Sequence, residues 1–192
     1  MNCTLQRFLA AAMLILVFPL LLLIALGCWI SCGVALYSCT RIGYRKKHFT
    51  LYKFKTMQGD KLILETAEQQ REWKLFGKLR KDPRVTGFGV LLRRFSLDEL
   101  PQLWNVVLGD MALVGPRPII DAEDAIYGRY SDRIHSVMPG ITGLWQVSGR
   151  NTLTYRRRIV INNYYVRNRS LRLDLWIIWR TVWAVIGGRG AF

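Results

Sequence analysis

The sequence predicts an α+β, mainly helical chain: an apolar N-terminal membrane helix, a short β-hairpin and a compact globular remainder. Three observations carry this. No residue from Phe8 to Ser38 is charged, a β-branched and aromatic stretch follows a polar turn at His48–Lys55, and two later stretches place apolar residues at helical spacing. The chain has 192 residues, enough for one core plus an anchor. It is 51% hydrophobic yet carries 28 Lys+Arg against 13 Asp+Glu, a net charge of +15. Such a charge implies an acidic partner, be it anionic headgroups, nucleic acid or a phosphorylated small molecule. A soluble nucleic-acid binder has no use for the long apolar run. Seven Trp and eight Tyr suit a membrane interface, where an amphipathic ring can sit.

The apolar heart, Phe8 to Ile30, is long enough to cross a bilayer, which takes about 20 residues. It exceeds the apolar region of a signal peptide, about 7–15 residues, and Trp29-Ile30 stands where small cleavage-site residues are wanted. Pro19 lies mid-run, removes a backbone hydrogen bond and predicts a kink. The helix then either spans, or enters, bends and returns; the residues alone favour a span. Arg7 precedes it, and Arg41, Arg45, Lys46 and Lys47 follow, so the positive-inside rule puts the globular part in the cytoplasm. Cys3, Cys28, Cys32 and Cys39 have no second pair downstream, so they read as small apolar residues, reduced.

Ala35–Tyr37 and His48–Lys55 predict the two hairpin strands, with Arg41–Lys47 as the turn. Lys61–Leu79 reads as an amphipathic helix with Leu64, Ala67, Trp73, Leu75 and Leu79 among its apolar residues, broken by Asp82-Pro83-Arg84. Gly87–Leu92 resumes as a helix or a turn. Ser96-Leu97-Asp98-Glu99 matches a capping box; alternatively Asp98 is the cap, which puts Pro101 in the first turn. Either way Asp98 and Glu99 are expected at the N-terminus of a helix that runs to Gly109. Beyond it the chain reads as loop-rich, through Gly115-Pro116-Arg117-Pro118, Pro139–Gly143 and Ser148–Asn151. A closing helix is predicted from Leu171 to Ile186, with Trp176, Trp179 and Trp183 along one side, facing either a core or a membrane surface.

Asp98 and Glu99 could serve only the helix dipole. The arginines nearby in sequence suggest more. Arg93 and Arg94 precede the pair, Arg117 is held between two prolines, and Arg150 follows a glycine. Guanidinium groups make two-pronged contacts to phosphate. Phosphate-rich substrates bring a divalent cation held by one or two carboxylates, and a carboxylate can also attack phosphorus to give an acyl phosphate. There is no Walker motif, Gly-rich phosphate loop or zinc motif.

The run Arg93 to Met111 resembles the bacterial sugar transferases, the small monotopic phosphoglycosyl transferases. Leu113–Pro118, Pro139–Gly143, Gln146–Asn151, Tyr52–Met57 and Asp82–Arg84 match in order, so the likeness covers nearly the whole chain. The resemblance implies a two-step transfer of sugar phosphate from a UDP-sugar to polyprenyl phosphate, with Asp98 as nucleophile and UMP released. It implies that Glu99 helps bind Mg2+ and that Lys53, Arg93 and Arg117 contact phosphates; Arg150 joins them as a substrate-binding residue on the reading above. It also implies a re-entrant helix broken at Pro19, reversing the preference for a span. Residues 1–38 are then the membrane-embedded part and 39–192 a catalytic domain with interfacial amphipathic helices, on the cytoplasmic face of the bacterial inner membrane. The expected partners are UDP-sugar, polyprenyl phosphate and membrane lipids, with a homodimer left open and no nucleic acid. The sequence departs from the family pattern at Phe18, Ser31–Ala35, Cys39 and Asn162. Two rival readings are an inactive scaffold of a polysaccharide machine and a membrane-tethered nucleic-acid binder, for which no reader motif is present.

Overall fold

The computed structural model describes residues 3–59, 66–76, 79 and 82–187. Helix α1 (Cys3–Cys32) runs through Pro19 without the break expected there and leads into an antiparallel hairpin, β1 (Leu36–Ile42) and β2 (His48–Phe54). Short helices α2 (Ala67–Phe76), α3 (Gly87–Arg94) and α4 (Gln102–Leu108) follow. Next come β3 (Ala112–Val114), α5 (Asp121–Tyr127), α6 (Ser131–Ile134) and β4 (Gly140–Thr142), with β3 and β4 paired in parallel. Helices α7 (Leu144–Ser148), α8 (Tyr155–Arg167) and α9 (Leu171–Gly187) complete the described chain.

One side of α1 packs onto the globular part along its length. Ala10 is buried with Leu51, Leu103, Val106 and Met111, while Ile24 and Cys28 are buried with Phe54 and Leu92. Polar contacts fix both ends. The Leu113 amide donates to Gln6 Oε1 at 2.8 Å and Arg7 Nε donates to the Val107 carbonyl at 2.7 Å, a cation at the C-terminal end of α4. At the other end Cys32 Sγ lies 3.6 Å from the Lys55 carbonyl. The opposite side of α1 stays bare, with Phe8 70% and Leu16 81% exposed.

Several expectations change. Strand β1 runs on to Ile42, so Arg41 belongs to a strand and the turn shortens to the residues around Tyr44–Lys46. Thr40 and Arg41 pair with Thr50 and Phe49, and Arg45 and Lys46 take positive φ (52° and 60°) to reverse the chain. Of the predicted Lys61–Leu79 helix, Ala67–Phe76 is seen, while residues 60–65, with Leu64, and 77–78 lie outside the described residues. Gly87–Arg94 is a helix, capped by the Thr86 hydroxyl, which accepts from the Gly89 amide at 3.0 Å. Gly89 lets α3 approach β2's exit, because a Cβ there would collide with the Thr56 carbonyl.

The capping box does not form. Ser96 is left-handed (φ 54°) and caps nothing, Leu97–Glu99 make a separate 3-10 turn, and Pro101 itself is the N-cap of α4. A proline there removes no helical hydrogen bond, and α4 starts five residues later than the Ser/Glu spacing implies. The stretch read as loop-rich holds the β3/β4 pair and, in α8, a helix of 13 residues. Pro139–Gly143 contains β4, a strand too short for an alternation signal. The closing helix forms as expected, but Trp176, Trp179 and Trp183 are 44%, 55% and 57% exposed and therefore are not core.

Candidate active site

Four local structures bring the predicted residues together. Leu51 and Lys53 share a face of β2, two residues apart; Leu51 is buried against α4, so Lys53 is carried over the turn that precedes α4. Asn105 of α4 clips this arrangement, accepting from the Tyr52 amide at 3.2 Å and donating to the Thr50 carbonyl. Arg93 leaves the last turn of α3. Arg117 follows β3 between two buried prolines, where Gly115 lets the chain pass the Met138 carbonyl that any Cβ would strike. Arg150 follows α7 with positive φ (52°).

All six predicted residues, Lys53, Arg93, Asp98, Glu99, Arg117 and Arg150, line one cavity of about 880 Å³. Their environments differ. Glu99 Oε1 accepts from both Lys53 Nζ and Arg117, each at 2.9 Å. Burial alone would raise the Glu99 carboxyl, but these two cations hold it well below the usual carboxylate range. Asp98 is engaged by no hydrogen bond or ion pair among the described residues. Burial pushes its carboxyl up, Lys53 opposes that shift, and the neighbouring Glu99 charge adds to it. Arg93 Nε donates to Thr56 Oγ1 at 3.0 Å, and Arg150 donates to Ser96 Oγ at 3.0 Å while its other terminal nitrogen is buried without a partner. Ser96, read as a helix cap, thus orients a guanidinium instead.

Sequence reasoning missed further cations on the cavity wall. Arg84 is held in a fork by Asp82 at 2.9 and 2.7 Å, and Arg41 lies 3.6 Å from Glu123 with its Nε buried and unpartnered. The signal for Arg84 was present as an Asp two residues before an Arg across a proline. Arg41 had been counted only toward membrane orientation.

Among the described residues no group of three or more His, Cys, Asp and Glu gathers to hold a metal. The donor set still fits Mg2+, which binds through one or two carboxylates and substrate phosphates rather than in an all-protein cage. Both Glu99 contacts fall on Oε1, which leaves Oε2 for such an ion. Of the departures from the family pattern, Phe18 is exposed on α1, Cys39 packs beside the core, and Asn162 is buried 3.5 Å from the Tyr127 hydroxyl; none lines the cavity.

Comparison with known proteins identifies the family. The family model described as bacterial sugar transferase matches residues 1–188. The exopolysaccharide production protein ExoY of Rhizobium meliloti (strain 1021) is 42% identical over 192 residues, covering 96% of this chain and 85% of the relative. The UDP-galactose-lipid carrier transferase of Erwinia amylovora is 40% identical over 95% of this chain, and the undecaprenyl-phosphate galactose phosphotransferase of Salmonella typhimurium (strain LT2) is 42% identical over 83%. The chain spans only 40% and 35% of those two longer proteins. With the family model matching nearly its full length, the chain belongs to the bacterial sugar transferase family.

Proposed function

We propose that the chain is a phosphoglycosyl transferase that moves a sugar 1-phosphate from a UDP-sugar to polyprenyl phosphate, through a covalent bond to Asp98. The observation that carries this reading is the contrast between neighbours: Glu99 is committed to Lys53 and Arg117, while Asp98 in the same cavity has no hydrogen-bond or ion-pair partner among the described residues. A carboxylate oxygen of Asp98 attacks the β-phosphorus. The bond from that phosphorus to the bridging oxygen breaks, and UMP leaves with the electron pair. The mixed anhydride is then attacked by a phosphate oxygen of the lipid, which restores the Asp98 carboxylate and yields polyprenyl diphosphate sugar.

Lys53, Arg93, Arg117 and Arg150 orient the phosphates and offset the charge that develops on their oxygens. Glu99 Oε2 is the protein ligand available to Mg2+, which when bound supplies charge neutralisation to the diphosphate. With no hydrogen bond or ion pair among the described residues, the Asp98 carboxylate oxygens are left open to attack phosphorus.

Membrane attachment follows from α1. Its two ends both dock on the same globular body, which supports a helix held on one side of the membrane with that body rather than one that crosses. The positive cluster after it supports a cytoplasmic position for that side in a bacterial cell. Residues 1–38 and 39–192 then divide by environment rather than by folding, since Ala10, Ile24 and Cys28 share core with the catalytic part. The inactive-scaffold alternative rests on Cys39 and Asn162, neither of which lines the cavity.

The direct test supplies purified protein in lipid nanodiscs with polyprenyl phosphate, Mg2+ and a panel of UDP-sugars, and measures UMP. Release with at least one sugar, abolished by chelation, is expected. No release with any sugar would count against an enzyme of this class.

A further inference from the structure

The cavity is not uniformly charged. Part of its wall is apolar: Met13 of α1, Ile178, Val182 and Val185 of α9, and Leu113 and Ile141 from the β3/β4 pair all line it. The only hydroxyls among the described residues of that α9 wall and of β4 satisfy one another, Thr142 Oγ1 lying 2.7 Å from Thr181 Oγ1, which also donates to the Ile177 carbonyl at 2.7 Å. Apart from Gln146, whose amide donates to the Ile141 carbonyl at 2.8 Å, what remains presented there is apolar. The outer faces of both helices are bare apolar surface, with Ile15 78%, Leu16 81%, Trp179 55% and Ile186 63% exposed. One cavity therefore joins an anion-binding end to a greasy arm framed by the two helices with the most exposed apolar surface.

We infer that this arm, between Met13 and the Ile178–Val182–Val185 side of α9, receives the first isoprene units of the polyprenyl phosphate acceptor while its phosphate reaches Asp98. The inference rests on the proposed function and adds the lipid's place in the site. Charge complementarity sets the orientation, with the dianionic monoester toward Arg93, Arg117 and Arg150 and the tail toward α1 and α9. A single polyprenyl tail suits one arm. A diacyl phospholipid branches at glycerol, next to its phosphate, and would need two. The volume, about 880 Å³, lies within the range of about 300–1,000 Å³ that encloses one small ligand, which suits donor and acceptor occupying the site in turn.

Separate half-reactions test this on the full chain in nanodiscs. Exchange of labelled UMP into UDP-sugar without lipid reports the Asp98 step; transfer to undecaprenyl phosphate reports the second. Val185→Trp, which fills the arm, is expected to leave exchange unchanged and raise KM for undecaprenyl phosphate by about tenfold, equivalent to roughly 1.4 kcal/mol of binding. Trp179→Ala, on α9 but outside the cavity, should not reproduce that rise once membrane binding is matched. Independently, a diazirine placed on the first isoprene unit of a polyprenyl phosphate should cross-link to Met13, Ile178, Val182 or Val185. Undecaprenyl phosphate should displace it and phosphatidic acid should not. An unchanged KM in Val185→Trp with exchange intact, cross-links elsewhere, or equal displacement by phosphatidic acid would overturn the inference. Absence of exchange in the wild-type protein would instead strike the proposed function, and the cross-linking map would still report on the arm.

Discussion

At one end of the cavity, Lys53 and Arg117 converge at 2.9 Å on a single oxygen of Glu99, beside an unengaged Asp98. At the other, Met13, Ile178, Val182 and Val185 present only hydrocarbon, on helices whose outer faces are bare. The first end depends on particular atoms, because charges close together in a recessed site interact strongly and directionally. The second depends on area, which is non-directional and spread over many side chains. Single substitutions should therefore act steeply at the polar end and by degrees at the apolar one.

The largest expected effect is from Asp98→Asn, which should lower turnover by at least about 10⁴-fold, the scale seen when a covalent nucleophile is lost. UMP release under saturating substrate measures it. Glu99→Gln should reduce turnover by about 10²-fold, on the scale of losing one charge-stabilising group. It should also weaken the dependence of rate on Mg2+, and a metal titration unchanged from wild type would remove Glu99 from the cation's ligands. Unlike activity, stability should improve in Asp98→Asn, because a carboxylate whose ionisation is disfavoured by the fold is replaced by a neutral isostere. A rise in Tm of roughly 2–4 °C, or about 1 kcal/mol, is expected.

The two carboxylates also carry opposite pH signs. Glu99 is held low in the folded protein, so its contribution is present above the unfolded value of about 4.3 and is lost as pH falls toward the folded one. Urea midpoints at pH 7 and below pH 4 should converge for wild type and Glu99→Gln as the acid range is entered; a constant gap would contradict the ion-pair account. The smallest effect is at the docking end of α1, where Arg7→Ala should cost about 1 kcal/mol by freeing an exposed charge-assisted hydrogen bond to Val107.

The same contrast explains what could be read in advance. The polar end was legible because its residues are chemically rare together: two adjacent carboxylates, an Arg between prolines, an Arg after a glycine. What failed were inferences from local geometry. Ser96 and Glu99 have capping-box spacing, but Pro101 shifts the start of α4, and the Ser96 hydroxyl serves Arg150. Helix α8 was missed because four Arg and two Asn interrupt its apolar pattern, although its buried residues Ile159, Asn162 and Tyr165 recur every three residues and Arg158 lies four before Asn162. Arg158 is buried there over the Trp145 ring at 4.8 Å, a tertiary contact that propensity does not anticipate. The apolar arm was equally invisible, since it needs Met13 and Val182 on one wall, and only the docking of α1 against the globular part brings such distant positions together.

Trapping the reaction between its halves tests the central claim most directly. Enzyme given UDP-sugar and Mg2+ without lipid, quenched and digested, should carry a phosphosugar adduct on the peptide containing Asp98, and the adduct should vanish when undecaprenyl phosphate is added. Mass spectrometry that locates the adduct on another side chain, or sustained turnover by Asp98→Asn, would contradict the account.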